Sequence, residues 1–263
     1  MIDLAPHNPY SLTIAHPVVA RAGLRGAGVE RLAGIEGVGA VLSDYLHPRD
    51  EPQASWAETP AGVIWPEGGR GVGRARRDLP RWSGLRRPVI VGLCASTAGQ
   101  LLALLDELDA EAHPALALDL THVASSEAAR EMVAAVRQGW QKPLLAELPI
   151  DGPPLPALAG ALAEADALIL GWAGRALAGP VAGRLVGPAA HPALLFALRS
   201  LAQHTEQPLL VAAAGLNQAF EVLEGGASAA LLDIALWHSP DLITRIVGPD
   251  VVNNRTPRGK ASY

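Results

Sequence analysis

Eight short apolar runs recur along the chain, separated by segments whose apolar residues return every three or four positions. The runs are "PVVA" (17–20), "GAVLS" (39–43), "PVIVGL" (88–93), "ALALDL" (115–120), "PLLAEL" (143–148), "ALILGW" (167–172), "PLLVAAA" (208–214) and "AALLDI" (229–234). The helical segments are 97–111, 125–140, 154–165, 191–205 and 217–226. Strands that are apolar throughout, rather than alternating, suit a parallel sheet covered on both faces. Eight such strands with helical crossovers in 263 residues predict one (β/α)8 TIM barrel. An open, doubly wound sheet is the alternative with the same elements.

The barrel is expected to span 1–247. Residues 47–87, rich in Pro, Gly and Arg, form a loop-rich, non-helical insertion after the second strand, and 248–263 a polar tail. Ser125-Ser126-Glu127 predicts a helix N-cap and Gly225-Gly226 a helix stop.

Lys plus Arg number 21 and Asp plus Glu 26, a net charge of −5, which argues against nucleic acid. No apolar run nears the roughly 20 residues that cross a bilayer, and the start lacks a signal-peptide pattern, so a cytoplasmic location is expected. Cys94 is the only cysteine, which excludes an internal disulfide and an iron–sulfur cluster. Arg70, Arg74, Arg76, Arg77, Arg81, Arg86 and Arg87 make the insertion basic. They suit an anion or an acidic protein surface, or are simply solvated. The glycines from Gly68 to Gly73 lack a clear strand–helix context for a dinucleotide loop.

Four stretches carry a resemblance: "AHPVVARAG" (15–23), "GVGAVLSDYLHPRDEPQASWAETPAG" (37–62), "GRLVGPAAHPALLFALRSLAQ" (183–203) and "LEGGASAALLDIAL" (223–236). In this order they resemble the dihydroorotate dehydrogenases, FMN-dependent TIM barrels of pyrimidine synthesis. The similarity runs from about residue 8 to 247.

The resemblance also marks departures. Leu42 stands at the family's strand-two lysine, and Glu147 at its strand-five lysine; both lysines contact flavin. Lys142 and Lys260 are the only lysines of the chain. The family's pyrimidine-holding asparagines fall in Trp65-Pro66-Glu67-Gly68-Gly69, in Asp119-Leu120-Thr121-His122-Val123-Ala124 and in Gly171-Trp172-Ala173, none of which contains one. Gly92 stands where the family commonly has a further asparagine. At the phosphate end Gly183, Gly187, Pro188 and Gly215 match the family, whereas Val186 and Asp233 do not.

His122 aligns with the family's catalytic base and is a competent base near neutral pH. Gly187 and Gly215 are the remaining phosphate-site candidates. Trp65 and Trp172 are expected to fill the vacated space, or else to clamp another flat ligand. Asp44, Asp119, Glu147 and Asp233, with His122, offer oxygen and nitrogen donors for a divalent metal; as scattered strand-end acids they are expected to be solvated or to cap helices, with no metal. Cys94 reads as a small buried hydrophobe. The resulting expectation is a barrel without cofactor, a non-catalytic subunit bound to another protein or to itself. The alternatives are an active FMN-dependent dihydroorotate dehydrogenase with altered contacts, and a flavin-free enzyme with His122 as base.

Overall fold

The computed structural model describes the chain except residues 24–27, 51–55, 67–68, 109–111, 173–174, 234–235, 237–241 and 248–263. The polar tail therefore lies outside the described residues. The eight apolar runs become eight parallel strands: Val18–Arg21, Ala40–His47, Val89–Leu93, Ala115–Asp119, Leu144–Leu148, Ala167–Leu170, Leu209–Ala213 and Ala229–Leu232. They are called the first to the eighth barrel strands below. Each pairs with its neighbours in sequence, and the first pairs with both the second and the eighth, so the sheet closes. This is the (β/α)8 barrel predicted from the sequence.

Side chains alternate in and out along each strand. Val19, Leu42, Ile90, Ala115, Ala117, Leu145, Ala167, Ile169, Leu210, Ala229 and Leu231 share one interior cluster. The alternate residues, such as Val18, Val41, Val91, Leu116, Leu144 and Leu168, pack in a second cluster with helical residues including Leu101, Val133, Leu158, Leu194 and Val222. A small antiparallel ladder, Ile2–Asp3 against Thr13–Ile14, closes the N-terminal end of the barrel. Its flanking Leu4, Ala5, Leu12 and Ile14 join the interior cluster. Asp3 ties the ladder together, accepting from the backbone N–H groups of Ala5 and Leu12 and from Ser11 Oγ.

The five predicted helices form at Ala98–Glu107, Ser126–Gly139, Leu155–Ala161, His191–Ala202 and Leu216–Glu224. Ser125 caps its helix by accepting from the Ala128 N–H. Gly226, at φ +107°, turns the chain out of the helix that ends at Glu224. Among the described residues no helix is long and apolar enough to cross a membrane.

The insertion departs from the expected non-helical loop. It contains short helices at Val72–Ala75 and Leu79–Ser83, and a hairpin of Ala57–Thr59 against Gly62–Pro66. A second hairpin, Arg175–Ala178 against Val181–Val186, follows the sixth strand. The two hairpins pair, register Arg184 opposite Trp65, into a four-stranded antiparallel sheet separate from the barrel. Their contact depends on glycine. At Gly62 (φ +142°) a Cβ would lie 2.4 Å from the Val186 carbonyl oxygen, and at Gly187 (φ +144°) 3.0 Å from Gly62 Cα.

Candidate functional site

The inward alternation continues past the apolar layers to the C-terminal ends of the strands. Two residues beyond Val19 stands Arg21; beyond Ala117, Asp119; beyond Leu145, Glu147; beyond Ile169, Gly171; beyond Leu231, Asp233. On the second strand a register shift between Leu42 and Tyr45 turns Tyr45 towards this layer. The glycine at 92 leaves room for it: a Cβ there would lie 2.8 Å from Tyr45 Cδ1. These side chains, with Cys94, His122, Trp65, Trp172, Arg70 and Arg184, line a cavity of about 630 Å³. That is the size and place at which TIM barrels hold ligands.

Glu147 is the hub. Its side chain is 1% exposed and ion-pairs with Arg21; Tyr45 Oη donates to it, and Arg184 Nη1 lies 3.8 Å from it. The Arg21 guanidinium also stands 5.3 Å from the centre of the Tyr45 ring. Burial works against the charge of Arg21, but Glu147, Tyr45 and Asp233 outweigh it and hold the guanidinium charged. Burial and then Glu147 push the Tyr45 phenol well above its ordinary value, so it stays a donor. Arg21 Nε is buried and has no acceptor among the described residues.

Asp119 accepts from the N–H and hydroxyl of Thr121, and Arg184 Nη2 lies 3.5 Å from its Oδ2. Burial would raise its pKa, but Arg184, Thr121 and His122 together hold it below the ordinary value. Asp233, at the end of the eighth strand, accepts from the indole N–H of Trp172. These acids are thus buried and paired, not solvated and not helix caps, because inward alternation carries them over the barrel interior. Asp44 is the exception in its bias: burial lifts its carboxyl, and Arg70 and Arg21 only partly offset this.

His122 lies at the cavity with its Nε2 2.8 Å from the carbonyl oxygen of Ala95. A carbonyl only accepts, so Nε2 carries the proton and Nδ1 the lone pair. Cys94 and Asp119 lie beside it, with one donor atom of each of the three residues within 4.8 Å of the others. Cys94 is therefore a cavity residue rather than part of the apolar core. Trp172 is 5% exposed and Trp65 partly buried. Both form walls of the cavity. Gly187 and Gly215 stand outside the lining: Gly187 at the hairpin contact, Gly215 ahead of the Leu216–Glu224 helix, where a Cβ would meet nothing within 4 Å.

The sequence reading named His122, Asp119, Glu147, Asp233, Trp65 and Trp172, and the structure brings all six together. It passed over Arg21, Tyr45 and Arg184. Arg21 follows the period-two pattern of its strand, and Tyr45 joins this layer only through the bulge. Arg184 comes from a hairpin that showed no strand signal.

No family model matches the chain. The chain is 31% identical to the catalytic subunit of dihydroorotate dehydrogenase B (NAD(+)) of Desulforudis audaxviator, over 87% of this chain and 85% of that one. It is 28% identical to the subunit of the same name from Citrifermentans bemidjiense, over 89% and 88%. A crystal structure of DHODH from Eimeria tenella in complex with ferulenol superposes with a TM-score of 0.73 at 14% identity, covering 94% of this chain and 85% of that one. The relatives overturn the expectation of a barrel without cofactor: they are catalytic subunits, and the family resemblance carries FMN with it.

Proposed function

The chain belongs to the dihydroorotate dehydrogenase family, and from that premise we propose that it is an FMN-dependent oxidoreductase barrel with altered ligand contacts. Its substrate class is a flat, carboxylate-bearing dihydropyrimidine, and His122 is its base. The observation that carries this reading is His122 itself: the residue at the family's base position lines the cavity with its tautomer fixed by Ala95.

The residues present fit the flavin. The cavity has the volume of a cofactor pocket, and Trp65 and Trp172 give it flat walls. Arg21 and Arg184 supply the cationic function that the missing lysines would have had, since Glu147 draws both guanidiniums to the mouth. The buried, unpaired Nε–H of Arg21 is a donor awaiting an acceptor. Arg21 and Arg184, both in the lining, would face the electron-rich edge of the ring. When bound, FMN supplies a hydride acceptor.

His122 takes the substrate's acidic C–H proton on Nδ1 while Nε2–H stays bonded to Ala95 O. The adjacent Asp119 carboxylate favours the imidazolium that results. Trp65 and Trp172 exclude water from the reacting face, and the guanidiniums orient the substrate carboxylate. That the relatives are named catalytic subunits supports catalysis over a non-catalytic role, and supports a partner subunit for this barrel.

The test is anaerobic mixing of the FMN-loaded protein with dihydroorotate, following loss of oxidised-flavin absorbance. Reduction that falls about 10²–10⁴-fold in His122→Ala supports the reading. Failure to retain FMN would sink the cofactor assignment, and flavin that binds but is reduced equally fast without His122 would sink the base.

A further inference from the structure

We infer that Cys94, Asp119 and His122 form a binding site for one thiophilic divalent cation of the Zn²⁺ type at the edge of the cavity. Register brings the ligands together: Leu93 pairs with Leu118, so the residues that follow them, Cys94 and Asp119, emerge side by side. His122 follows three residues after Asp119 and folds back over both, held by Ala95 O. The three donor atoms lie within 4.8 Å of one another. Tetrahedral zinc with bonds of about 2.0–2.3 Å needs ligand separations of roughly 3.3–3.8 Å, so small side-chain rotations suffice.

The donor set selects the metal. Thiolate with imidazole favours Zn²⁺ or Co²⁺ over Mg²⁺ or Ca²⁺, and one thiolate plus one carboxylate balances a divalent charge. The outer contacts are those that orient ligands. The backbone carbonyl of Ala95 takes the Nε2 proton and leaves Nδ1 to coordinate. Thr121 holds Oδ1 of Asp119 and leaves Oδ2 to coordinate. Arg184, 3.5 Å from that oxygen, opposes a cation, but it also lies 3.8 Å from Glu147, towards which it can turn. All three residues line the cavity, so the fourth coordination position faces it. This is the open arrangement of zinc that binds a small ligand or water.

One consequence rests on the function proposed above. Nδ1 cannot both coordinate a metal and accept a proton, so an occupied site silences His122 as a base, and the cation acts as a reversible inhibitor.

The experiment is a Co²⁺ titration of the reduced, metal-stripped full chain, read by absorbance. The expected result is one equivalent bound with a thiolate-to-cobalt charge-transfer band that Zn²⁺ displaces. Cys94→Ser should abolish the band, and His122→Ala should weaken binding more than tenfold. Thr121→Ala, a milder change, should weaken it about 10–100-fold with the fold intact by circular dichroism. No thiolate band, or binding indifferent to both Cys94→Ser and His122→Ala, would overturn the site. In the flavin-reduction assay, saturating Zn²⁺ should slow the wild type more than tenfold and Cys94→Ser far less. Full turnover with zinc bound would overturn the shared use of Nδ1. If no variant turns over at all, the base reading fails, and the cobalt titration still decides the metal site.

Discussion

Arg21 and Glu147 form an ion pair across the open end of the barrel, from the first strand to the fifth. Strands one and five stand on opposite sides of an eight-stranded ring, so this bridge crosses the mouth. A buried pair is weak evidence for net stability, but breaking one half of it is costly. Glu147→Gln keeps the shape and leaves Arg21 and Arg184 without their common counter-charge. The expected loss is about 3–5 kcal/mol in urea unfolding. A loss below about 1 kcal/mol would mean that solvent, not Glu147, compensates Arg21.

Gly171 makes room for that carboxylate. A Cβ there would lie 1.7 Å from Glu147 Oε1. Gly171→Ala must therefore push Glu147 off its partners, and the expected cost is about 1–3 kcal/mol of overpacking with part of the ion-pair loss added. In the double variant with Glu147→Gln the two effects should fall short of their sum, because both act on one contact. Strict additivity in a double-mutant cycle would separate the two residues and refute the coupling.

The barrel was legible because parallel strands covered on both faces are nearly continuous apolar runs, whose few polar residues, such as Asp119 and Glu147, fall at the C-terminal ends. The four-stranded sheet was not. Its strands, such as Ala57–Thr59 and Arg175–Ala178, are three to six residues long and lack clean alternation. They are specified instead by Gly62 and Gly187, whose glycine requirement shows only once the hairpins touch. At the site, His122 was legible from its family position. Arg21 has no such position: the family's lysines align with Leu42 and Glu147. A cation on a neighbouring strand can serve the same place, and only the closed ring shows that the first and fifth strands face each other.

Trp172 and Asp233 offer a separate probe of the mouth. The indole N–H donates to a buried carboxylate from the far side of the seventh strand. Trp172→Phe keeps a flat ring and deletes the donor. It should cost about 1.5–3 kcal/mol, the usual worth of a hydrogen bond to a charged group. Adding Asp233→Asn should recover part of it, since a neutral side chain suffers less when its donor is gone. A Phe variant as stable as the wild type would show that the indole hydrogen bond adds nothing to the fold.

Asp44 contributes a pH dependence of opposite sign to that of Asp119 in the same cavity. Burial raises its carboxyl above the ordinary value, and the nearby Arg70 and Arg21 recover only part of that. Below both the folded and unfolded pKa values the group is neutral in both states and contributes nothing. As pH rises past the unfolded value, the unfolded chain loses its proton first, and stability falls until the folded pKa is passed. The full cost is then present at neutral pH. Asp44→Asn never carries the charge, so it should be more stable than the wild type at about pH 7 and no more stable at about pH 3. Urea midpoints at the two pH values measure the difference. The opposite ranking at pH 7 would mean that the ionised carboxylate is held by Arg70 and Arg21 more strongly than burial penalises it, and that Asp44 belongs with Glu147 as a paired anion of the mouth.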